Sequence, residues 1–150
     1  DSVASRGLGD VYKRQPLILV GNGTGLAGLR AHLHARVAAG ARRNWLLFGE
    51  RNADRDFFHR EELRELQAQG WLQRLDLAFS RDDGDRAYVQ DRLLAAGDAV
   101  RQWIAEGACV LVCGNASGMA PGVDAALASI LGEELRDRLR IEGRYRRDVY

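Results

Sequence analysis

The chain has 150 residues, of which 46% are hydrophobic and 29% charged, enough for one domain with its own core. Lys and Arg total 22 against 21 Asp and Glu, so no overall field draws in nucleic acid or an anionic membrane, and any anion site has to be local. The longest apolar runs, such as WLLF and CVLVC, fall far short of the roughly 20 residues that cross a bilayer.

Residues 1–15, DSVASRGLGDVYKRQ, are polar and without periodicity, and read as a linker remnant or a non-native leader in front of a domain at 16–150. No apolar h-region precedes that domain, so the expected compartment is the cytoplasm. Short apolar runs then alternate with helical stretches: strands at Leu17 to Val20, Trp45 to Phe48, Leu75 to Phe79 and Cys109 to Cys113. Leu26, Leu29, Leu33 and Val37 recur at helical spacing up to Gly40. A second helix is expected from about Asp56 to Gln69, and a third from about Val89 to Ala105, broken near Gly97. A fourth is expected after GNASGMAPG. This is the rhythm of an α/β domain with a doubly wound parallel sheet, and the nearly continuous apolar runs fit strands covered on both faces.

Cys109 and Cys113 would share a strand face about 13 Å apart, too far for a disulfide. His32 and His34 would point about 200° apart on a helix, and His59 has no obvious ligand neighbour, so no metal is assigned.

The stretch LILVGNGTGLAGLR, residues 17–30, sets a strand against glycines and a helix. Such a turn presents backbone N–H groups and the positive end of a helix dipole to an anion without a basic side chain. GTGLAG, Gly23 to Gly28, matches G-x-G-x-x-G, with Glu50 at the end of the second strand where a dinucleotide fold keeps its ribose acid. A tight structural corner and an S-adenosylmethionine methyltransferase turn remain alternatives, although Val20 stands where the methyltransferase acid is usual.

After LDLAF the chain reads SRDDGDRAYVQ, which puts Ser80, Arg81 and Arg86 at the carboxyl end of the third strand, where open α/β sheets bind ligands. Two guanidinium groups and a hydroxyl suit a dianionic phosphate, and Tyr88 offers a face for a base. The plainer alternative is a solvated loop whose arginines pair with Asp82, Asp83 and Asp85.

Five stretches in order resemble the NADPH-binding domain of the ferredoxin–NADP reductase superfamily, in its diflavin branch of sulfite reductase flavoproteins and cytochrome P450 reductases. They are GNGTGLAGLR, LLFGERNADRDFFHREEL, AFSRDDGDRAYVQDRL, VLVCGNASGMA and GRYRRDVY, and the likeness runs from Pro16 to Tyr150. It implies a Rossmann-like sheet of five parallel strands, the last formed by the terminal stretch. It makes Gly23, Thr24 and Gly25 the pyrophosphate and nicotinamide-ribose turn, with Arg51 a further phosphate contact. Ser80, Arg81 and Arg86 would grip the 2′-phosphate of NADPH, while Tyr88 and Gln90 hold the adenosine end. Cys113 would lie beside the nicotinamide, Asp148 would support hydride transfer, and Tyr150 would stack on the flavin until nicotinamide displaces it.

The same resemblance implies an FAD-binding domain in the full-length chain, FMN in some members, and a downstream electron-acceptor protein, so this stretch alone would bind NADPH without turning over. Four departures stand out. Proline is usual where Asn22 and Gly28 stand, and an Asp is usual at Gly122, with Asp124 two residues out of register; Asn115 replaces a frequent Asp. A noncatalytic nucleotide-sensing module is the remaining rival.

Overall fold

The computed structural model describes residues 15–50, 60–80 and 88–149. Within them lie strands β1 (Leu17–Asn22), β2 (Asn44–Glu50), β3 (Arg74–Phe79), β4 (Cys109–Gly114) and β5 (Tyr145–Val149). The helices are α1 (Leu26–Ala38), α2 (Arg60–Ala68), α3 (Val89–Ala95), α4 (Gly97–Ala105), α5 (Met119–Leu131) and α6 (Glu133–Ile141), and one 3-10 turn, Gly23–Gly25, joins β1 to α1. All strands are parallel, in the order β3-β2-β1-β4-β5. This is the doubly wound α/β sheet that the sequence predicts.

The apolar runs become strands because both of their faces are covered. Alternate residues point to opposite sides of a strand, so Leu17, Leu19, Leu46, Phe48 and Leu111 meet Leu29 and Leu33 of α1 and Leu63 of α2. Ile18, Val20, Trp45, Leu47, Val110 and Val112 meet α3 through α6. The split follows from handedness: the chain moves outward from β1 to β3 and then back across to β4 and β5, and right-handed crossovers in opposite directions lay their helices on opposite faces.

Local differences from the sequence reading have physical causes. The first two strands run past their apolar cores because polar residues continue the ladder, Asn22 at the end of β1, Asn44 and Glu50 at the ends of β2. Asn44 is 0% exposed; its Nδ2 donates to the carbonyls of Ala41 at 2.9 Å and Trp71 at 2.7 Å, and its Oδ1 accepts from Nε of the equally buried Arg36 at 2.8 Å. The third helical stretch divides at Ala96, next to Gly97, where a Cβ would stand 3.5 Å from Ile130 of α5. The expected start of the second helix, near Asp56, lies outside the described residues, which take it up at Arg60. Both cysteines are free, and no helix among the described residues is long and apolar enough to cross a membrane.

Candidate functional site

In this strand order the connections leave β1 and β4 in opposite directions, so a crevice opens at their carboxyl ends. Glycines let its walls meet. A Cβ at Gly25 would lie 2.2 Å from the carbonyl oxygen of Cys113, and one at Gly21 2.5 Å from the same atom. The start of α1 therefore rests directly on the main chain of β4. On the far side, Gly114 adopts φ +137°, and a Cβ there would lie 2.5 Å from Oδ1 of Asn22. Only glycine suits that position. Asn22 Oδ1 also accepts a long bond of 3.4 Å from the backbone N–H of Asn115, tying the two strand ends together.

Two helices begin at this crevice, neither with a side-chain cap hydrogen bond nor with an acid in its first turn, and they differ in the turn that leads into them. Ahead of α5, Asn115 Oδ1 accepts from the backbone N–H groups of Ser117 at 2.8 Å and Gly118 at 2.7 Å and from the Ser117 hydroxyl at 3.0 Å. Asn115 thus closes its own turn. α1, 13 residues long, has no side-chain cap hydrogen bond and no acid in its first turn. Its positive end is left to an external acceptor, and an anionic oxygen is the natural one.

Gly23 (φ +39°) and Gly25 bound that turn, with the backbone of Thr24 between them. A Cβ at Gly23 would lie 3.8 Å from Oε1 of Glu50, so the acid at the end of β2 is a neighbour of the turn. Ser80 follows β3 and donates its backbone N–H to the Glu50 carbonyl at 2.9 Å, which carries the β2–β3 ladder one residue further and sets Ser80 at the carboxyl edge of the sheet. Tyr88 opens α3; its N–H donates to the Asp91 carboxylate at 2.8 Å and the residue is 57% exposed. Gln90 packs against α5, where a Cβ at Gly122 would meet its Nε2 at 2.9 Å. The space of the usual Asp is therefore filled by the Gln90 amide. Arg51, Arg81, Arg86 and Tyr150 lie outside the described residues.

Cys113 and Asp148 are direct register partners on neighbouring strands, and a Cβ at Gly28 of α1 would lie 3.7 Å from the Cys113 sulfur. Burial pushes the Cys113 thiol up to about 11, and the Asp148 carboxylate adds to the effect. The thiol is thus protonated at neutral pH, neither base nor nucleophile.

His32, one helical turn beyond Gly28, was considered in the sequence only as a metal ligand. In the structure it is half-buried, and burial holds its pKa below the ordinary value of 6.5; Arg146 acts in the same direction and Asp148 against it. Its spacing of four residues from Gly28 was the available signal.

Asp124, the acid two positions out of register, is engaged elsewhere. Its carboxylate accepts from Arg136 Nη1 at 3.0 Å, Arg140 Nη2 at 2.9 Å and the Tyr145 hydroxyl at 2.8 Å.

Residues 19–125 match the family described as oxidoreductase NAD-binding domain. Among curated proteins, the chain is 40% identical over 148 residues to the sulfite reductase [NADPH] flavoprotein alpha-component of Neisseria meningitidis serogroup B, an alignment covering 91% of this chain and 24% of that protein. The proteins of the same name from Photorhabdus laumondii and Vibrio cholerae serotype O1 are each 44% identical, over 91% and 90% of this chain and 25% and 24% of their own lengths. The chain therefore spans about a quarter of the length of these relatives.

Proposed function

The chain belongs to the oxidoreductase NAD-binding domain family, and on that premise we propose that it is the NADPH-binding module of a flavoprotein oxidoreductase. The observation that carries this reading is the uncapped N-terminus of α1 at the crevice between β1 and β4, where glycines seat the helix start directly on the main chain of β4. A pyrophosphate fits it, since its oxygens take the N–H groups of Gly23, Thr24 and Gly25 while the dipole offsets their charge. Arg51 adds a further cation. Ser80, at the edge of the sheet, with Arg81 and Arg86 following it, holds the 2′-phosphate, and Tyr88 and Gln90 at the start of α3 hold the adenosine.

That pose sends the nicotinamide toward Cys113 and Asp148. NADPH and a flavin supply the hydride chemistry when bound. The neutral Cys113 thiol offers an apolar, polarisable wall, and its burial keeps water from that side. Asp148 presents a carboxylate toward the positive charge that grows on the nicotinamide ring. Tyr150 would supply an aromatic face to cover a flavin when no nicotinamide is bound.

The relatives' name and their greater length support a larger protein in which an FAD domain, and an FMN domain in the diflavin arrangement, pass the electrons on to an acceptor protein. The sulfite reductase haemoprotein is the acceptor that the relatives' name favours, and the cytoplasm is the compartment. The folding unit assigned here is 16–150, because the sheet ladder begins at Pro16, whose carbonyl accepts from the Cys109 N–H at 2.9 Å. A chain starting at Gln15, whose side chain lies against Gly107, should melt within a degree or two of the 150-residue chain; a larger drop would show that residues 1–14 pack on the domain.

Calorimetric titration with NADP⁺, NAD⁺, 2′-AMP and 5′-AMP tests the cofactor assignment. The 2′-phosphorylated ligands should bind more tightly, and Arg81→Ala should weaken NADP⁺ by about 1.5–3 kcal/mol, the range of a hydrogen bond to a charged group, while leaving NAD⁺ unchanged. Equal affinity for NADP⁺ and NAD⁺ in the unmutated chain would overturn the assignment and return Glu50 to the role of ribose acid.

A further inference from the structure

Strand β5 carries Asp148 and leads to Tyr150; its entry is anchored by Arg144, whose guanidinium donates to the carbonyls of Ile104 at 2.7 Å and Ala108 at 3.0 Å, but beyond that point few of its own side chains are packed. Among the described residues it is an edge strand, paired with β4. Arg146, Arg147 and Asp148 are exposed, Val149 is partly covered, and Tyr145 alone is buried, at 3% exposed. The register of such a strand is weakly specified by its own pattern, and a slip of one residue would turn Asp148 to the opposite face, away from Cys113.

The Tyr145 hydroxyl donates to Asp124 Oδ1 at 2.8 Å, the same oxygen accepts from Arg140 at 2.9 Å, and Oδ2 accepts from Arg136 at 3.0 Å. The Arg140 guanidinium also lies 5.4 Å from the centre of the Tyr145 ring. Asp124 sits within α5, the helix that starts at the crevice, and Arg136 and Arg140 sit on α6. One carboxylate thus joins a helix that begins at the crevice, the helix after it, and the strand that ends at the crevice. A one-residue slip of β5 would carry the phenol about 3.3 Å along the sheet and onto its other face, breaking the bond to Asp124.

We propose that Asp124 is a positioning residue: through the Tyr145 hydroxyl it fixes the register of β5 on β4 and so holds Asp148 beside Cys113 at the reacting end of the crevice. Burial, with Asp124 acting in the same direction, lifts the Tyr145 phenol above its ordinary range, so the donor keeps its proton in neutral and mildly alkaline solution. The functional half of the proposal rests on the crevice being the nicotinamide site; the structural half does not.

The two halves are therefore read separately. In the 150-residue chain, Tyr145→Phe keeps the ring and removes only the hydroxyl, and Asp124→Ala removes the acceptor. Amide hydrogen exchange in both variants should speed by about tenfold at residues 145–149 and stay unchanged at 17–22, the scale expected for losing one net hydrogen bond in a locally opening strand. In the full-length flavoprotein, single-turnover hydride transfer should fall by about tenfold or more, as a small misplacement of reacting groups allows, with the affinity for 2′-AMP unchanged.

Exchange at 145–149 that matches the parent in Tyr145→Phe would overturn the clamp. Faster exchange with an undiminished hydride rate would overturn its role in positioning Asp148. Failure of the unmutated chain to bind 2′-AMP would instead sink the nucleotide reading, and the exchange result would stand apart from it.

Discussion

Gly25→Ala is expected to abolish measurable NADP⁺ binding and to destabilise the fold, although it adds only one methyl group at the start of a helix. The new carbon would stand 2.2 Å from the Cys113 carbonyl oxygen, 2.6 Å from its carbon and 2.9 Å from the Gly114 nitrogen. None of these atoms is the end of a flexible side chain; they belong to the main chain of β4, held between β1 and β5. The backbone of Gly25 is at φ −74°, a conformation alanine accepts, so the effect is steric and not conformational.

Relief requires the start of α1 to lift off β4, at a cost of about 1–3 kcal/mol or more for overpacking. The same movement re-aims the N–H groups to which the pyrophosphate is assigned in the proposed function, and a displacement of about 1 Å at such a site is worth a hundredfold in function. Gly28→Ala is the control. Its carbon would stand 3.7 Å from the Cys113 sulfur, an ordinary contact, and alanine in a helix interior should add about 0.5–1 kcal/mol of stability. Thermal melts and NADP⁺ titrations of the two variants check the pair. Parental affinity in Gly25→Ala would mean that the close seating of α1 on β4 does not form the site.

The contrast between these two glycines marks where sequence stops being informative. Both belong to GTGLAG, and the pattern places them on a strand-to-helix turn. Which one touches β4 depends on Cys113, far along the chain, and nothing local encodes it. The central strands were legible because burial on both faces leaves an unbroken apolar run. β5 was not legible in that way: YRRDV has one buried side chain, and only its likeness to a known closing strand marks it.

Polar side chains follow the same division. Arg36 lies on a helix among alanines, and it is 1% exposed, with Asn44 at the foot of β2 supplying an acceptor that nothing in the sequence near it announces. Asp124 reads as a displaced ligand, but its partners lie 12 to 21 positions later on α6 and β5. A sequence tells which residues can bond; the fold decides to whom.

The second large effect is alkaline. Below pH 9 the Cys113 thiol carries its proton in both the folded and unfolded chain, so its contribution to stability there is complete. Between pH 9 and about 11 the unfolded chain ionises while the buried thiol, pushed up to about 11, does not. The unfolded state gains what the folded state cannot, and stability falls as pH rises through the window, by an amount on the order of a few kcal/mol. Above pH 11 the folded thiol ionises as well, and the loss from this group stops growing.

Cys109 and Tyr145, also shifted upward by burial, contribute further loss on the alkaline side. The diagnostic quantity is therefore the difference between the parent and Cys113→Ala, which retains both. Urea unfolding at pH 8, 9, 10 and 11 should show the variant less stable at pH 8, from the lost sulfur, and then declining less steeply, so that the two chains converge or cross by pH 11. Parallel curves would mean that the thiolate is tolerated where it lies. In that case Cys113 would be an available anion beside the nicotinamide, and the neutral-wall role assigned to it would be wrong.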